Sequence, residues 1–457
     1  MNYDFIIIGG GSGGYSAAIR AAQLGAKVAI IEKDQLGGAC LNWGCIPTKT
    51  LYRNAEVLKL IRNADDYGIK IDNFELDVLK IQERKHKVIN KLILDIERNM
   101  MKHNIALFRG KGTIVDANTV KVELEDDRFK EIKGEHIIIA TGSRPIIPPM
   151  EGHDLEGVLN SSEMLLFNEI PKSLTIVGAG VVGMEFCSIF SALGSQVNVI
   201  STTDRILNRV DQDLTDKLED YIRKDGVNII SNTRASKIER IDDSTLRVYG
   251  NKGDEVVTVD SEKVLVAIGR KPNSQNIGLE NVGIEVERGA IVTDDDYKTN
   301  IDGIYAIGDV NKKLMLAYAA SSQAVHVVEK VMGKLEKKNR NVFASCIFVF
   351  PELAFVGLTE EEVKAKKIKY KKSKFNFEFN GKALALNESD GLIKVISNEK
   401  NKILGVHILG PHATDLIQEA VLAINKNMKV EDIINTIHAH PTLSEAFKDA
   451  LMGLHED

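Results

Sequence analysis

The 457-residue chain is expected to fold as an α/β protein with two doubly wound units and a separate α+β domain at its C-terminus. Three observations predict this. DFIIIGGGSGGYSAAIRAAQLGAKVAIIEKD from Asp4 and SLTIVGAGVVGMEFCSIFSALGSQVNVISTTD from Ser173 share one plan: apolar strand, G-x-G-x-x-G, helix, Leu-Gly, second apolar strand. Beyond the second unit, EKVLVAIGRKPN (262–273) and GIYAIGDV (303–310) are further buried-strand runs ending in glycine turns. From about residue 341 the pattern changes. LIKVISNEKNKILGVHILG (392–410) reads as two strands joined by a polar hairpin, and 414–425 has helical periodicity.

In the two units Gly9, Gly11 and Gly14 match Gly178, Gly180 and Gly183, and Leu24-Gly25 matches Leu193-Gly194, at one constant offset. A single such fingerprint is weak; two in register identify Rossmann-like dinucleotide-binding units. The first glycine makes the tight turn and the second lets backbone approach a pyrophosphate. The third seats the helix whose N-terminal amides hold the phosphates. Gly10-x-Ser12-x-Gly14 also fits a hydrolase nucleophile elbow, but only one strand fits before Ser12, and the elbow needs more. Glu32 closes the second strand of the first unit, where a carboxylate accepts hydrogen bonds from an adenosine ribose. Ser201 stands at the same offset in the second unit. The first nucleotide is therefore well specified and the second is not.

The length suits about three domains. A net charge of −6 excludes a nucleic-acid or membrane-surface footprint, with the lysines between Lys364 and Lys374 read as a solvated face. No apolar run approaches the ~20 residues of a membrane span. MNYDFIIIGGG enters the glycine fingerprint at once, without a signal-peptide pattern, so a cytoplasmic protein is expected.

Two of the chain's four cysteines, Cys40 and Cys45, lie in GGACLNWGCIPTKT (37–50). A structural staple closing so short a loop removes little unfolded-state entropy, and a metal site needs further ligands that this stretch lacks. The pair reads as a redox dithiol. Cys187 and Cys346 sit in apolar surroundings and read as packing residues.

With two dinucleotide units and a C-x4-C dithiol, the chain resembles the FAD-dependent pyridine nucleotide-disulfide oxidoreductases over essentially its whole length. The pieces that carry the resemblance are GGACLNWGCIPTK, ATGSRP (140–145), GAGVVGMEF (178–186), AIGRKPN, YAIGDV, PELAFVGLTEEE (351–362) and HAHPTLSEAF (438–447). It implies a first part of an FAD domain over 1–145, an NAD(P) domain over 146–272, a return to the FAD domain over 273–340 and a dimerisation domain over 341–457. It gives Glu32 the FAD ribose, Lys49 the flavin edge, paired with Glu185, and Asp309 the ribityl chain. Gly112 and Ala317 become FAD backbone contacts, and Thr141, Gly142 and Gly269 belong to the nucleotide-binding motifs. It makes Cys40 the thiol that exchanges with substrate, Cys45 the one against the flavin, and His440, held by Glu445, the acid/base of the partner subunit's site.

The residues agree where they speak. Residues five apart on a straight helix are separated by roughly 7.5 Å along the axis, beyond what a disulfide spans, so the turn between the cysteines must be distorted, and Gly44 makes distortion cheap. His440 precedes Pro441 in an extended loop, and Glu445 begins the next helical pattern. Alone, His-Pro could be a surface turn, or His438 and His440 a metal pair. A dithiol, however, needs a base and that base a carboxylate. Glu185 reads as a first-turn acid of the second fingerprint helix.

The resemblance implies oxidation of protein-bound dihydrolipoyl groups through the dithiol and FAD, with hydride passed to NAD or NADP. The carrier would belong to a 2-oxo acid dehydrogenase complex or the glycine cleavage system. The alternatives are an NAD(P)H-dependent reductase of another small disulfide such as glutathione, and a flavoprotein electron-transfer subunit without disulfide turnover. Because Ser201 replaces the family's usual acid, Arg205 is a candidate partner for the 2′-phosphate of NADP.

Overall fold

The computed structural model describes residues 2–124, 128–335 and 342–455. The expected boundary at 340/341 lies outside them. In the first unit β1 (Asn2–Ile8) runs through a glycine turn into α1 (Ser12–Gln23), and β2 (Val28–Glu32) returns parallel to β1, with Ile8 opposite Ile31. Phe5 to Ile8 and all of β2 are buried, as continuous apolar runs covered on both faces should be. Three helices follow: α2 (Gly38–Trp43), α3 (Cys45–Arg62) and α4 (Val78–Lys102).

Two long strands then do double duty. β3 (Ala106–Asp116) starts parallel to β2 and from Gly110 pairs antiparallel with β4 (Thr119–Leu124). β5 (Phe129–Ile139) is antiparallel to β4 and then lies parallel to β1. Each long strand thus pairs in parallel over one stretch and antiparallel over another within the same sheet.

The second unit holds β7 (Val158–Asn160), α5 (Ser161–Met164), β8 (Ser173–Val177), α6 (Val181–Leu193), β9 (Gln196–Ile200), α7 (Gln212–Lys224) and β10 (Asn228–Ile230). An antiparallel sheet of β11, β12 and β13 (Arg234–Arg240, Leu246–Lys252, Glu255–Ser261) leads to β14 (Lys263–Val266). The parallel sheet has the order β10-β9-β8-β14-β7. Entry and exit are side by side: β6 (Ser143–Pro145) pairs antiparallel with β15 (Arg270–Pro272).

After a hairpin of β16 (Val286–Glu287) and β17 (Ala290–Ile291), β18 (Ile304–Ala306) joins β5 in the first sheet and α8 (Ala317–Val331) packs on α1. The last sheet is antiparallel, ordered β19-β20-β23-β22-β21: Ser345–Ile347, Leu353–Gly357, Ile403–Leu409, Leu392–Asn398 and Tyr370–Asn376. It carries α9 (Glu360–Ala365), α10 (Gly381–Leu386), α11 (Ala413–Asn425), α12 (Val430–Ile434) and α13 (Glu445–Met452).

The glycine turns repeat in three dimensions. A Cβ on Gly9 would lie 2.3 Å from Ala140 O, and one on Gly14 1.8 Å from Gly9 O; in the second unit Gly178 meets Ala267 O at 2.5 Å and Gly183 meets Gly178 O at 1.9 Å. Turn and helix therefore touch through bare backbone. The middle glycines differ: a Cβ on Gly11 would have only Gly38 Cα at 3.7 Å, and one on Gly180 nothing within 4 Å. Their missing side chains leave open space.

One interior feature departs from the expected pattern. Lys394, in the middle of β22, is 1% exposed, and its ammonium donates to Asp211 (2.8 and 2.9 Å), Asp213 (2.6 Å) and Glu360 (2.7 Å). Burial alone would pull its pKa down, but those three carboxylates outweigh burial and hold it above the ordinary lysine value. Lys364, Lys372 and Lys374 lie on the solvated face expected there, and each also reaches a carboxylate of this joint. The first two pair with Glu360 at 2.8 and 2.9 Å and the third with Asp213 at 2.7 Å, rimming the buried ion.

The two kinds of glycine are separable by experiment. Gly183→Ala drives a methyl into backbone and is expected to lower stability by about 2 kcal/mol or more, read as a lower thermal midpoint. Gly180→Ala is expected to keep that midpoint and weaken pyridine nucleotide binding instead. Equal midpoints for the two variants would show that the Gly178 turn relaxes around a side chain.

Candidate active site

The dithiol lies where α2 ends and α3 begins. Gly44 takes φ −151° and ψ −106°, outside the helical region, so the helix is broken between the cysteines. The break brings the Cα atoms of Cys40 and Cys45 to 4.7 Å, and the two are disulfide-bonded. Thr48 anchors the new helix start by donating from N (3.0 Å) and Oγ1 (2.7 Å) to Gly44 O. Asn42 Nδ2 donates to Leu36 O and Gly38 O, holding the preceding turn. Both cysteines are half-buried. Cys187 is fully buried, with its thiol pushed up to about 12 by burial, and Cys346 is pushed up to about 11 for the same reason. Neither approaches a reactive thiolate.

One turn beyond Cys45, the Lys49 ammonium donates to both oxygens of Glu185 at 2.8 and 2.9 Å and lies 4.5 Å from the centre of the Phe348 ring. Glu185 also accepts from Phe348 N at 3.1 Å. It is the fifth residue of α6, so the expected first-turn position is corrected. The pairing with Lys49 accounts for the carboxylate, not the helix dipole.

Beside the dithiol a cleft of about 570 Å³ runs along the C-terminal ends of β1 and β2. Gly9, Gly11, Glu32, Gly112, Thr141 and Gly142 line it. Glu32, at the end of β2, accepts from Gly10 N at 2.6 Å and Asp34 N at 2.8 Å, so its carboxylate is fixed in the turn. Thr141 Oγ1 donates to Asn273 O at 2.7 Å. Lys49, Asp309, Ala317 and the cysteines do not line this cleft. Asp309 accepts from Ser143 Oγ at 2.5 Å, and Ala317 is the first residue of α8.

Ser143 and Arg270 were not singled out in the sequence. Both line the cleft, and Arg270 donates from Nε to Ser143 Oγ (2.8 Å) and from Nη2 to Ser143 O (2.7 Å). Burial lowers the guanidinium's pKa, while Asp309 opposes that. The signal was present in SRP and GRKP, the two short strands that mark the crossings between units. The open backbone at Gly11, the acid at the end of β2 and a cleft of this size fit a dinucleotide such as FAD.

At the second fingerprint, Ser201 is buried directly after β9. Its hydroxyl meets Thr203 Oγ1 at 2.9 Å and accepts from Thr203 N at 3.1 Å, closing a local turn. Arg205 donates to Glu361 Oε1 and to Asn208 O, each at 3.3 Å. Gly269 adopts φ +127° just before β15.

His440 and Glu445 are together. Glu445 opens α13 and its Oε1 meets His440 Nδ1 at 3.0 Å, while Oε2 accepts from Thr442 N at 2.8 Å. The Thr442 amide first, and the imidazole next, hold the Glu445 carboxyl below its ordinary pKa. The His440 side chain is 78% exposed. His438 is instead 6% exposed, with its ring nitrogens facing Thr436 O and Glu419 Oε1. Among the described residues no cluster of three or more His, Cys, Asp or Glu could hold a metal ion, and no helix is long and apolar enough to cross a membrane.

Two dinucleotide folds with a redox disulfide at their junction define a flavin-linked disulfide oxidoreductase. The chain belongs to the pyridine nucleotide-disulphide oxidoreductase family, whose model matches residues 3–324, with the family's dimerisation domain matched over 343–451. It is 41% identical over 99% of its length to a dihydrolipoyl dehydrogenase of Bacillus subtilis, covering 98% of that protein. It is 39% identical to the dihydrolipoyl dehydrogenase of Chlamydia trachomatis, over 98% of this chain and 96% of the other. The solved structure of LpdA from Mycobacterium tuberculosis superposes with a TM-score of 0.92 at 27% identity, covering 98% of this chain and 99% of that one. The protein is accordingly an FAD- and pyridine nucleotide-dependent oxidoreductase that forms a homodimer.

Lys49→Met leaves Glu185 almost fully buried with one amide as partner. It is expected to cost about 1–3 kcal/mol in denaturant unfolding, and Lys49→Met with Glu185→Leu to recover part of that loss. Strict additivity of the two single changes would show that the pair is not coupled.

Proposed function

We propose that the protein oxidises protein-bound dihydrolipoamide to lipoamide with NAD as the preferred final acceptor. The observation that carries the reading is the half-buried Cys40–Cys45 disulfide next to the dinucleotide cleft, together with an exposed His440–Glu445 pair on the dimerisation domain. The similarity to dihydrolipoyl dehydrogenases over the full chain supports the choice of substrate.

His440, contributed to the partner's dithiol, takes the proton from one substrate thiol. The thiolate attacks Cys40 Sγ; the Cys40–Cys45 bond breaks, Cys45 leaves as a thiolate and a mixed disulfide forms. The second substrate thiolate attacks the substrate sulfur in that mixed disulfide, expelling Cys40 and closing lipoamide. Two electrons have then passed from the substrate dithiol to the protein dithiol. Glu445 fixes the imidazole through Nδ1, which leaves Nε2 for the proton. FAD would be held by the Gly9–Gly14 turn and Glu32, with Lys49 towards the flavin, and would supply two-electron redox chemistry between the dithiol and the pyridine nucleotide. The carrier is a lipoylated protein of a 2-oxo acid dehydrogenase complex or the glycine cleavage system, and the enzyme works in the cytoplasm.

Cys40→Ser is expected to abolish dihydrolipoamide turnover while retaining bound FAD, and on reduction to keep the long-wavelength absorbance that a Cys45 thiolate lends to a neighbouring flavin; Cys45→Ser should lose that band. Wild-type turnover in either variant would sink the dithiol mechanism, and faster turnover of glutathione disulfide than of the lipoyl substrate would point to the reductase alternative.

His440→Gln is expected to slow dihydrolipoamide oxidation by about 10²-fold or more, while transfer from NADH to an artificial acceptor persists. Parallel loss of both activities would make the residue structural. In verified heterodimers of Cys40→Ser and His440→Gln chains, partial recovery is expected, because one of the two sites then holds both native groups.

A further inference from the structure

The second nucleotide fold lacks the acid that would sit at the end of β9, and the residue there offers no replacement. Ser201 is neutral, and its hydroxyl is spent on Thr203. Four residues on, Arg205 is a cation in the same loop, which on charge alone would welcome a 2′-phosphate. In the structure it is already engaged. Its Nη1 reaches Glu361 Oε1, Nη2 reaches Asn208 O, and its side chain is only 20% exposed.

Glu361 comes from the other side of a domain boundary, at the start of α9 in the C-terminal domain. Its Oε1 also accepts from Gln212 N, the first residue of α7, at 3.0 Å. Its Oε2 is buried and has no hydrogen-bond partner among the described residues. The carboxylate is thus drawn against the nucleotide-binding loop with spare accepting capacity. Its neighbour Glu360 is locked in place: Glu360 N donates to Asp211 Oδ2 at 3.0 Å, and the Glu360 carboxylate shares the buried Lys394 ammonium with Asp211 and Asp213. Residues 201–211 therefore end in a buried ionic joint that fixes where Glu361 stands.

We infer that Glu361 is a specificity-determining residue for the pyridine nucleotide: reaching across from the C-terminal domain, it neutralises Arg205 and keeps the ribose end of the second site from accepting a 2′-phosphate. The acid missing from the end of β9 is supplied from a different domain. The inference rests on the pyridine nucleotide assignment made above, and it concerns only how NAD is told from NADP.

The test uses FAD-loaded dimer and measures binding directly, by calorimetric titration with 2′,5′-ADP and with 5′-AMP, alongside kcat/KM for NAD and NADP. Glu361→Gln is expected to raise the affinity for 2′,5′-ADP relative to 5′-AMP by about tenfold and to move the NADP to NAD ratio of kcat/KM the same way. Arg205→Met should shift the wild-type ratio less than about twofold yet erase the gain when combined with Glu361→Gln. A ratio that stays at the wild-type value in Glu361→Gln, or a gain that survives Arg205→Met, overturns the inference. Absence of dihydrolipoamide turnover in wild type would sink the proposed substrate and leave these binding ratios readable.

Discussion

The ion pair between Lys49 and Glu185 is the constraint on which the site depends, because three parts of the chain converge on it. Lys49 belongs to α3, the helix that starts at Cys45; Glu185 belongs to α6, the helix seated on the second glycine turn; and the amide that shares Glu185 belongs to Phe348, just past β19. A carboxylate this buried is stable only while its partners stay in place. α3 is held further by Tyr52, whose hydroxyl donates to Val349 O at 3.0 Å and whose ring stacks on Phe350 at 4.5 Å. The disulfide is thus mounted on a helix that both nucleotide-binding units and the C-terminal domain clamp from different sides.

That clamping lets a broken helix serve as a reactive element. Gly44 lets the backbone leave helical geometry for one residue, bringing the two sulfurs together, and Thr48 immediately restarts the ladder. The cysteines remain half-buried: close enough to the cleft to communicate with it, open enough for a second dithiol to attack. The buried thiol of Cys187 and the partly buried one of Cys346 show the contrast, since burial raises the pKa of both and favours the protonated form.

What the sequence revealed and what it hid divide along one physical line. Glycine fingerprints are legible because backbone contact at Gly14 and Gly183 dictates the residue from local geometry, and the same contact appears twice. The dithiol is legible for the same reason, as its spacing requires a break and Gly44 supplies it. Lys394 was illegible: a lysine inside LIKVIS looks like a solvent-facing strand position, and its partners lie 34, 181 and 183 residues away. The lysines between 364 and 374 form the exposed face their composition implies, and what stayed hidden is that Lys374 also reaches Asp213 of another unit. Arg205 followed suit. Its place in the nucleotide loop was readable, whereas the glutamate that engages it stands 156 residues on. Contacts made within one turn of chain leave a signature in composition; long-range ion pairs do not.

The exposure of His440 follows from the same architecture. The dithiol, Glu32 and Lys49 all belong to the first unit, while His440 and Glu445 belong to the C-terminal domain. Within one chain, Glu445 satisfies the Nδ1 side of the imidazole, and the ring projects with 78% of its side chain exposed. A carboxylate fixed by the Thr442 amide so that it can orient a histidine toward open solvent makes little sense for an isolated chain, because orientation matters only where something is to be met. The neighbouring Ile437, at 95% exposure, makes the same point in apolar terms. In the proposed mechanism dimerisation gives the oriented imidazole its purpose, as the base for the partner subunit's dithiol.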